Sequence, residues 1–219
     1  MNRRSVLRFA AAAATAPLLR PFLSTPAQAR AEQDLRFRVL RDGSPVGEHS
    51  VRFKPDGNLL IVTTHVEIAV TVLLFTAYWF RHEAQEIWGS GRLLWLQSTT
   101  DDNGRSMQVQ GEATPAGFRI VGEKGPFLAS SELLTSNSFW DSRIVREKRL
   151  IDVRHGGDIG LVTRKLGDEL VSTPHGPVRA SRYQMITPYN AGSVFHDANG
   201  RWVKALLEIK GESIEYVLS

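Results

Sequence analysis

The chain has 219 residues and no cysteine, which excludes disulfides, thiolate zinc sites and cysteine nucleophiles and leaves stability to an ordinary apolar core. Its 27 Lys+Arg exceed its 23 Asp+Glu by four, and Arg3, Arg4, Arg8 and Arg20 supply that whole excess from a leading stretch that holds no acid. Without that stretch the charges balance, so the body of the chain has no overall basic field for nucleic acid.

Asn2-Arg3-Arg4-Ser5-Val6-Leu7-Arg8 sets two adjacent arginines before the short alanine-rich run 9–19, the layout of a twin-arginine export signal. The run is too short to span a bilayer. Pro26-Ala27-Gln28-Ala29 offers small residues at alternate positions for signal peptidase. The sequence therefore predicts a signal at residues 1–29, a periplasmic destination, no transmembrane anchor after cleavage, and one β-rich domain over residues 30–219.

From there, turn signals recur every 8 to 12 residues or so, the spacing of an antiparallel sandwich or barrel. Strands are expected at 35–41, 46–54 and 59–70, separated by Asp42-Gly43 and Asp56-Gly57. The stretch YWFRHEAQEIW, Tyr78 to Trp88, reads as the next. Gly89-Ser90-Gly91 leads to a strand at 93–100, Asp101-Asp102-Asn103-Gly104 to one at 106–113, and Pro115-Ala116-Gly117 to one at 118–122. The rhythm fails between Gly125 and Lys148, where Ser138 is a candidate cap for one short helix near 138–148 that includes Phe139, Trp140 and Ile144. Alternation resumes at 149–154, then at 159–166 and 169–172 around a Gly167-Asp168 turn. The last strands fall at 178–186, 193–196, 202–210 and 214–218. So many hairpins predict an all-β fold, a strongly curved antiparallel sheet or open β-barrel, because twist accumulates and flat edges aggregate.

Chemistry is sparse. The uncharged run Ile68 to Phe80 reads as two strands meeting at an apolar bend around 73–76, either core or an apolar lip at a cavity mouth. With a period of two, Tyr78, Phe80, His82, Glu86 and Trp88 share one face, which makes His82 and Glu86 either a structural polar network or the polar end of a ligand pocket. The six histidines are scattered, and no metal, phosphate or dinucleotide fingerprint occurs; no cofactor is expected. No GxSxG is present. Asp141 beside Trp140, and His196-Asp197, are the acids and base that a hydrolase or carbohydrate-active enzyme would use.

The order of landmarks is similar to that of a known group. Asp42-Gly43, Val46-Gly47, Gly91-Arg92-Leu93, Thr100 to Gly104, Phe139-Trp140-Asp141, Ala180-Ser181-Arg182-Tyr183 and Phe195-His196-Asp197 resemble an uncharacterised family of exported Gram-negative bacterial proteins, a domain of unknown function. The resemblance spans roughly Leu35 to Leu218 and implies a β-rich envelope protein. It brings no activity, ligand or catalytic residue. The chain departs from that pattern at Asp141, where the family has Asn, and at His196, where it often has Tyr.

Three functions follow as alternatives. A non-enzymatic binder of an apolar or amphipathic, lipid-like ligand would line its interior with Tyr78, Phe80, Trp88, Trp140 and Tyr183, with His82, Glu86 and His196 as polar contacts, and would enclose several hundred cubic ångströms. An enzyme would bring Asp141 and Asp197 into one cleft. A scaffold for another envelope protein would have a filled interior and an exposed apolar patch.

Overall fold

The computed structural model describes residues 33–72, 75–209 and 211–219. The expected signal at 1–29, and residues 73–74 of the apolar bend, lie outside them. Fifteen strands are present among the described residues: β1 (Leu35–Arg41), β2 (Ser44–Asp56), β3 (Leu59–Val72), β4 (Phe75–Gly89), β5 (Arg92–Asp102), β6 (Arg105–Thr114), β7 (Gly117–Gly122), β8 (Gly125–Ala129), β9 (Arg149–Ile151), β10 (Asp158–Gly160), β11 (Val162–Thr173), β12 (Gly176–Ile186), β13 (Ala191–Asp197), β14 (Trp202–Ile209) and β15 (Glu212–Leu218).

Tight turns drive this architecture. Asp42-Gly43 and Asn103-Gly104 both hold positive φ at successive residues, 49° and 79°, and 53° and 92°, the conformation that matches the twist of the strands a two-residue hairpin joins. The hairpins assemble one 13-stranded antiparallel sheet in the order β11-β12-β13-β14-β15-β1-β2-β3-β4-β5-β6-β7-β8. The chain starts in the middle of it. It marches outward from β1 to β8, returns to the opposite edge, and marches inward from β11 until β15 pairs with β1, Phe37 facing Leu218.

The sheet is strongly curved and not closed. Its two ends approach at the β7–β8 and β12–β13 turns, where Lys124 Nζ donates to the Tyr189 hydroxyl at 3.5 Å and the His155 ring lies 5.2 Å from that of Tyr189. The return segment, residues 130–161, fills the hollow. Its Leu134, Ile144, Leu150, Ile151 and Val153 are fully buried, and Trp140 meets Phe53 of β2 and Trp88 of β4 edge-on at 5.4 and 6.0 Å. Phe139 reaches across to Trp202 of β14 at 5.4 Å. The interior of the curve is therefore core, supplied by the same segment that joins the two free edges.

The short helix expected near 138–148 is present as two 3-10 turns, Ser138–Trp140 and Ser142–Arg146, parted at Asp141, which is extended at φ −97° and ψ 111°. Three local expectations are corrected. Ser138 caps neither: Asn137 stands at the first N-terminus and makes no capping bond with its side chain, and the Asp141 carboxylate accepts the Arg143 N–H at the second. The Gly167-Asp168 turn does not form. Residues 162–173 are one strand with a bulge between Lys165 and Gly167, the φ of +145° at Gly167 absorbing one extra residue instead of reversing the chain. The strand expected at 149–154 stops at Ile151, since Asp152 accepts the N–H groups of Arg154 and His155 and closes a turn.

Candidate functional site

The most polar place in the interior lies on β4. Residues 82, 84, 86 and 88 are buried while 81, 83 and 85 are exposed, the alternation of a strand with one wet face. Cross-strand neighbours complete the enclosure: Val66 and Thr100 flank His82, and Val62 and Leu96 flank Glu86. Glu86 is 1% exposed. A carboxylate so placed must find donors, and it finds two. Trp88 Nε1–H donates to Oε2 at 2.9 Å and the Thr135 hydroxyl donates to Oε1 at 2.8 Å. Having given its proton to Glu86, Thr135 Oγ1 accepts from the Ser138 hydroxyl at 2.9 Å and from the Asn137 N–H at 3.2 Å. Burial pushes the Glu86 carboxyl up from 4.5 to about 7, against the opposing pull of the Thr135 and Trp88 bonds.

His82 is bound in the same manner. The Asn137 side-chain amide donates to Nε2 at 2.8 Å, so Nδ1 carries the proton and donates to Thr100 Oγ1, also at 2.8 Å. A second ring proton would confront the Asn137 N–H group. Burial, and then the positive charge of Arg154, lower the imidazole from 6.5 to about 4. Nearby, Arg154 pairs with Asp102 at 2.9 Å and stands 5.2 Å over the Phe80 ring, and the Tyr78 hydroxyl donates to Asp102 at 2.8 Å. Burial, reinforced by the Asp102 bond, raises the Tyr78 phenol.

Tyr78, Phe80, His82, Glu86 and Trp88 thus share one face as the sequence predicts, and the return segment brings Trp140 against it. Tyr183 and His196 form a second group on β12 and β13, their rings 6.4 Å apart. His196 Nε2–H donates to the Phe139 carbonyl at 2.8 Å, leaving Nδ1 buried and without a bond. Thr135, Asn137 and Ser138 complete the polar seam. The sequence does not mark them, because nothing local separates a buried Thr or Asn from one in a turn. His49 is another such omission: it is buried among Phe37, Trp202 and Tyr216 with both ring nitrogens unbonded, and burial lowers it to about 3.

The carboxylates of the enzyme reading have structural occupations. Asp141 is clasped by the Arg143 guanidinium at 2.6 and 2.9 Å, and Asp197 Oδ1 accepts the N–H groups of Asn199 and Arg201 at 2.8 and 2.9 Å. Among the described residues no three His, Asp or Glu side chains converge as a metal site, and no helix is long and apolar enough to cross a membrane. Two surface depressions lie away from His82 and Glu86. One of about 430 Å³ is lined by Arg92, Thr114, Leu128 and Ser131 among others, and one of about 340 Å³ by Arg41, Pro45 and Val70 among others.

Comparison with known proteins adds the fold and the family. The chain is similar to the crystal structure of a beta-barrel-like protein of domain of unknown function DUF1849 from Brucella abortus, with a TM-score of 0.62 over 85% of this chain and 95% of that one, at 7% identity. At that identity the likeness is one of fold. No curated protein matches. Residues 37–219 match the family described as Domain of unknown function (DUF6134), and the chain belongs to that family.

Proposed function

We propose that the protein is an exported, non-enzymatic component of the cell envelope that binds a partner protein on its outer surface. One observation carries this reading: the hollow of the sheet is occupied by residues 130–161, which take up Glu86 Oε1 and His82 Nε2, while Trp88 and Thr100 of the sheet take up the other polar atom of each. The surface in turn leaves large apolar side chains in water. Val121, Phe127 and Leu128 are exposed on β7 and β8, Leu128 to 53%, beside the depression that Leu128 helps to line. Export rests on the arginine pair at 3–4 and the small residues before position 30. A photo-crosslinking side chain at Leu128, introduced in the protein's own cells, is expected to yield a discrete adduct with an envelope protein, and the same probe at exposed Glu83 none. Equal labelling at both positions would refute the reading.

A second reading is favoured by the seam itself. Thr135 and Asn137, with Ser138 bonded to Thr135, are the small polar residues that the segment sets against Glu86 and His82, so the head group of an amphipathic, lipid-like ligand would replace them there. Phe80, Trp88 and Trp140 would then wall its tail, with Tyr78, Tyr183 and His196 at the margins. Native mass spectrometry of the protein taken from its own compartment separates the two: a bare chain favours the first, a co-purifying lipid the second.

A further inference from the structure

The two edges of the sheet are unlike. β8 is five residues long and contains Pro126, so it is short and cannot donate at that position. β11 is twelve residues long and has no proline. Among the described residues its backbone bonds only to β12. It is exposed along nearly its whole length, with Val162 at 66%, Leu166 at 45% and Leu170 at 76%. A long unpaired edge without proline is a template for another strand.

The sequence of that edge says which strand. VTRKLGDELVST places two cations, Arg164 and Lys165, before Leu166-Gly167 and two acids, Asp168 and Glu169, after it. We propose that β11 pairs antiparallel with β11 of a second copy of this chain, about a two-fold axis between Leu166 and Gly167. Arg164 then faces Glu169 of the other copy, Lys165 faces Asp168, Thr163 faces Leu170, and Val162 faces Val171, each contact occurring twice as a two-fold requires. Among the described residues Arg164 has no ion pair of its own, while Lys165 Nζ lies 3.0 Å from Asp168 and Arg182 3.1 Å from Glu169 within the copy.

The bulge supplies an independent check on the register. In a regular strand Arg164 and Glu169 point to opposite sides, so they could not face one another across an edge. Here the extra residue between Lys165 and Gly167 corrects the alternation. Val162, Arg164, Glu169 and Val171 oppose Ile186, Gln184, Ala180 and Val178, one alternate set of β12, and Thr163, Lys165, Asp168 and Leu170 oppose the other. Every proposed pair therefore joins residues of the same set. The irregularity costs only the two positions at the axis. This pairing does not depend on the partner surface at β7 and β8, and it would join two 13-stranded sheets into one.

An edge of this length makes an interface at the small end of the specific range, so association should depend on concentration. Sedimentation of the chain without residues 1–29 should pass from monomer to dimer as it is concentrated. Asp168→Lys with Glu169→Lys puts like charges opposite one another at four places and should weaken association by about tenfold or more. Arg164→Glu with Lys165→Glu should do the same. An equimolar mixture of the two variants should form a mixed dimer, which also shows that both fold. A native chain that stays monomeric at high concentration overturns the pairing, as does a double variant that still self-associates undiminished, or a mixture of folded variants that does not combine.

Discussion

Glu86 is the group whose environment makes the sharpest demand. It titrates at 4.5 when unfolded and at about 7 in the fold, so the folded chain binds a proton more tightly than the unfolded one between those values. The sign follows from linkage: the group's contribution is most favourable below pH 4.5, declines as pH rises through the window, and is fully lost above about 7. The difference is worth about 3 kcal/mol between the limits. Glu86→Gln keeps the shape and removes the titration. Relative to the native chain, the variant should be within about 1 kcal/mol at pH 5 and more stable by a further 2 to 3 kcal/mol, roughly, at pH 8.5. Urea unfolding of the two proteins at both pH values measures it. A native-to-variant difference that is the same at pH 5 and pH 8.5 would refute the burial of an ionisable Glu86 beneath residues 130–161.

Other perturbations test neighbouring parts. His49 titrates at about 3 in the fold against 6.5 unfolded, so its contribution is present above pH 6.5 and lost as pH falls towards 3; His49→Leu should gain about 2 to 3 kcal/mol at pH 4.5 over its effect at pH 8, read from urea midpoints. Thr135→Val removes the hydroxyl that donates to Glu86 and should cost about 1.5 to 3 kcal/mol at pH 8.5, with less at pH 5, where the carboxyl is neutral. A Cβ at Gly122 would sit 2.8 Å from the Gly156 Cα in the turn between β9 and β10, so Gly122→Ala should lower the melting temperature by an amount equivalent to about 1 to 3 kcal/mol.

The sheet was readable because its code is local. Asp42-Gly43 and Asn103-Gly104 set their own turns, and the alternation through His82, Ala84, Glu86 and Trp88 marks the buried face of β4 whatever packs against it. The return segment was not readable for the converse reason. Leu134, Thr135, Ser138, Trp140 and Ile144 are buried inside a curve, contacting strands from several directions, and such a segment needs no periodicity of two. β8 was lost in the same irregular stretch. Gly167-Asp168 has turn composition but forms a bulge, since β12 continues alongside it and pairing overrides the local signal. His82 and Glu86 were legible as a buried polar pair, but whether they face a ligand or Thr135 and Asn137 is a tertiary fact.

Amide hydrogen exchange over residues 130–161 tests the filled interior most directly. Ser136 N–H bonds the Ile151 carbonyl at 2.8 Å and Ile151 N–H bonds Leu134 at 2.9 Å, so these amides should exchange as slowly as those of β4 and β5. Exchange orders of magnitude faster in this segment, with β4 and β5 still protected, would contradict an interior held by the chain's own residues.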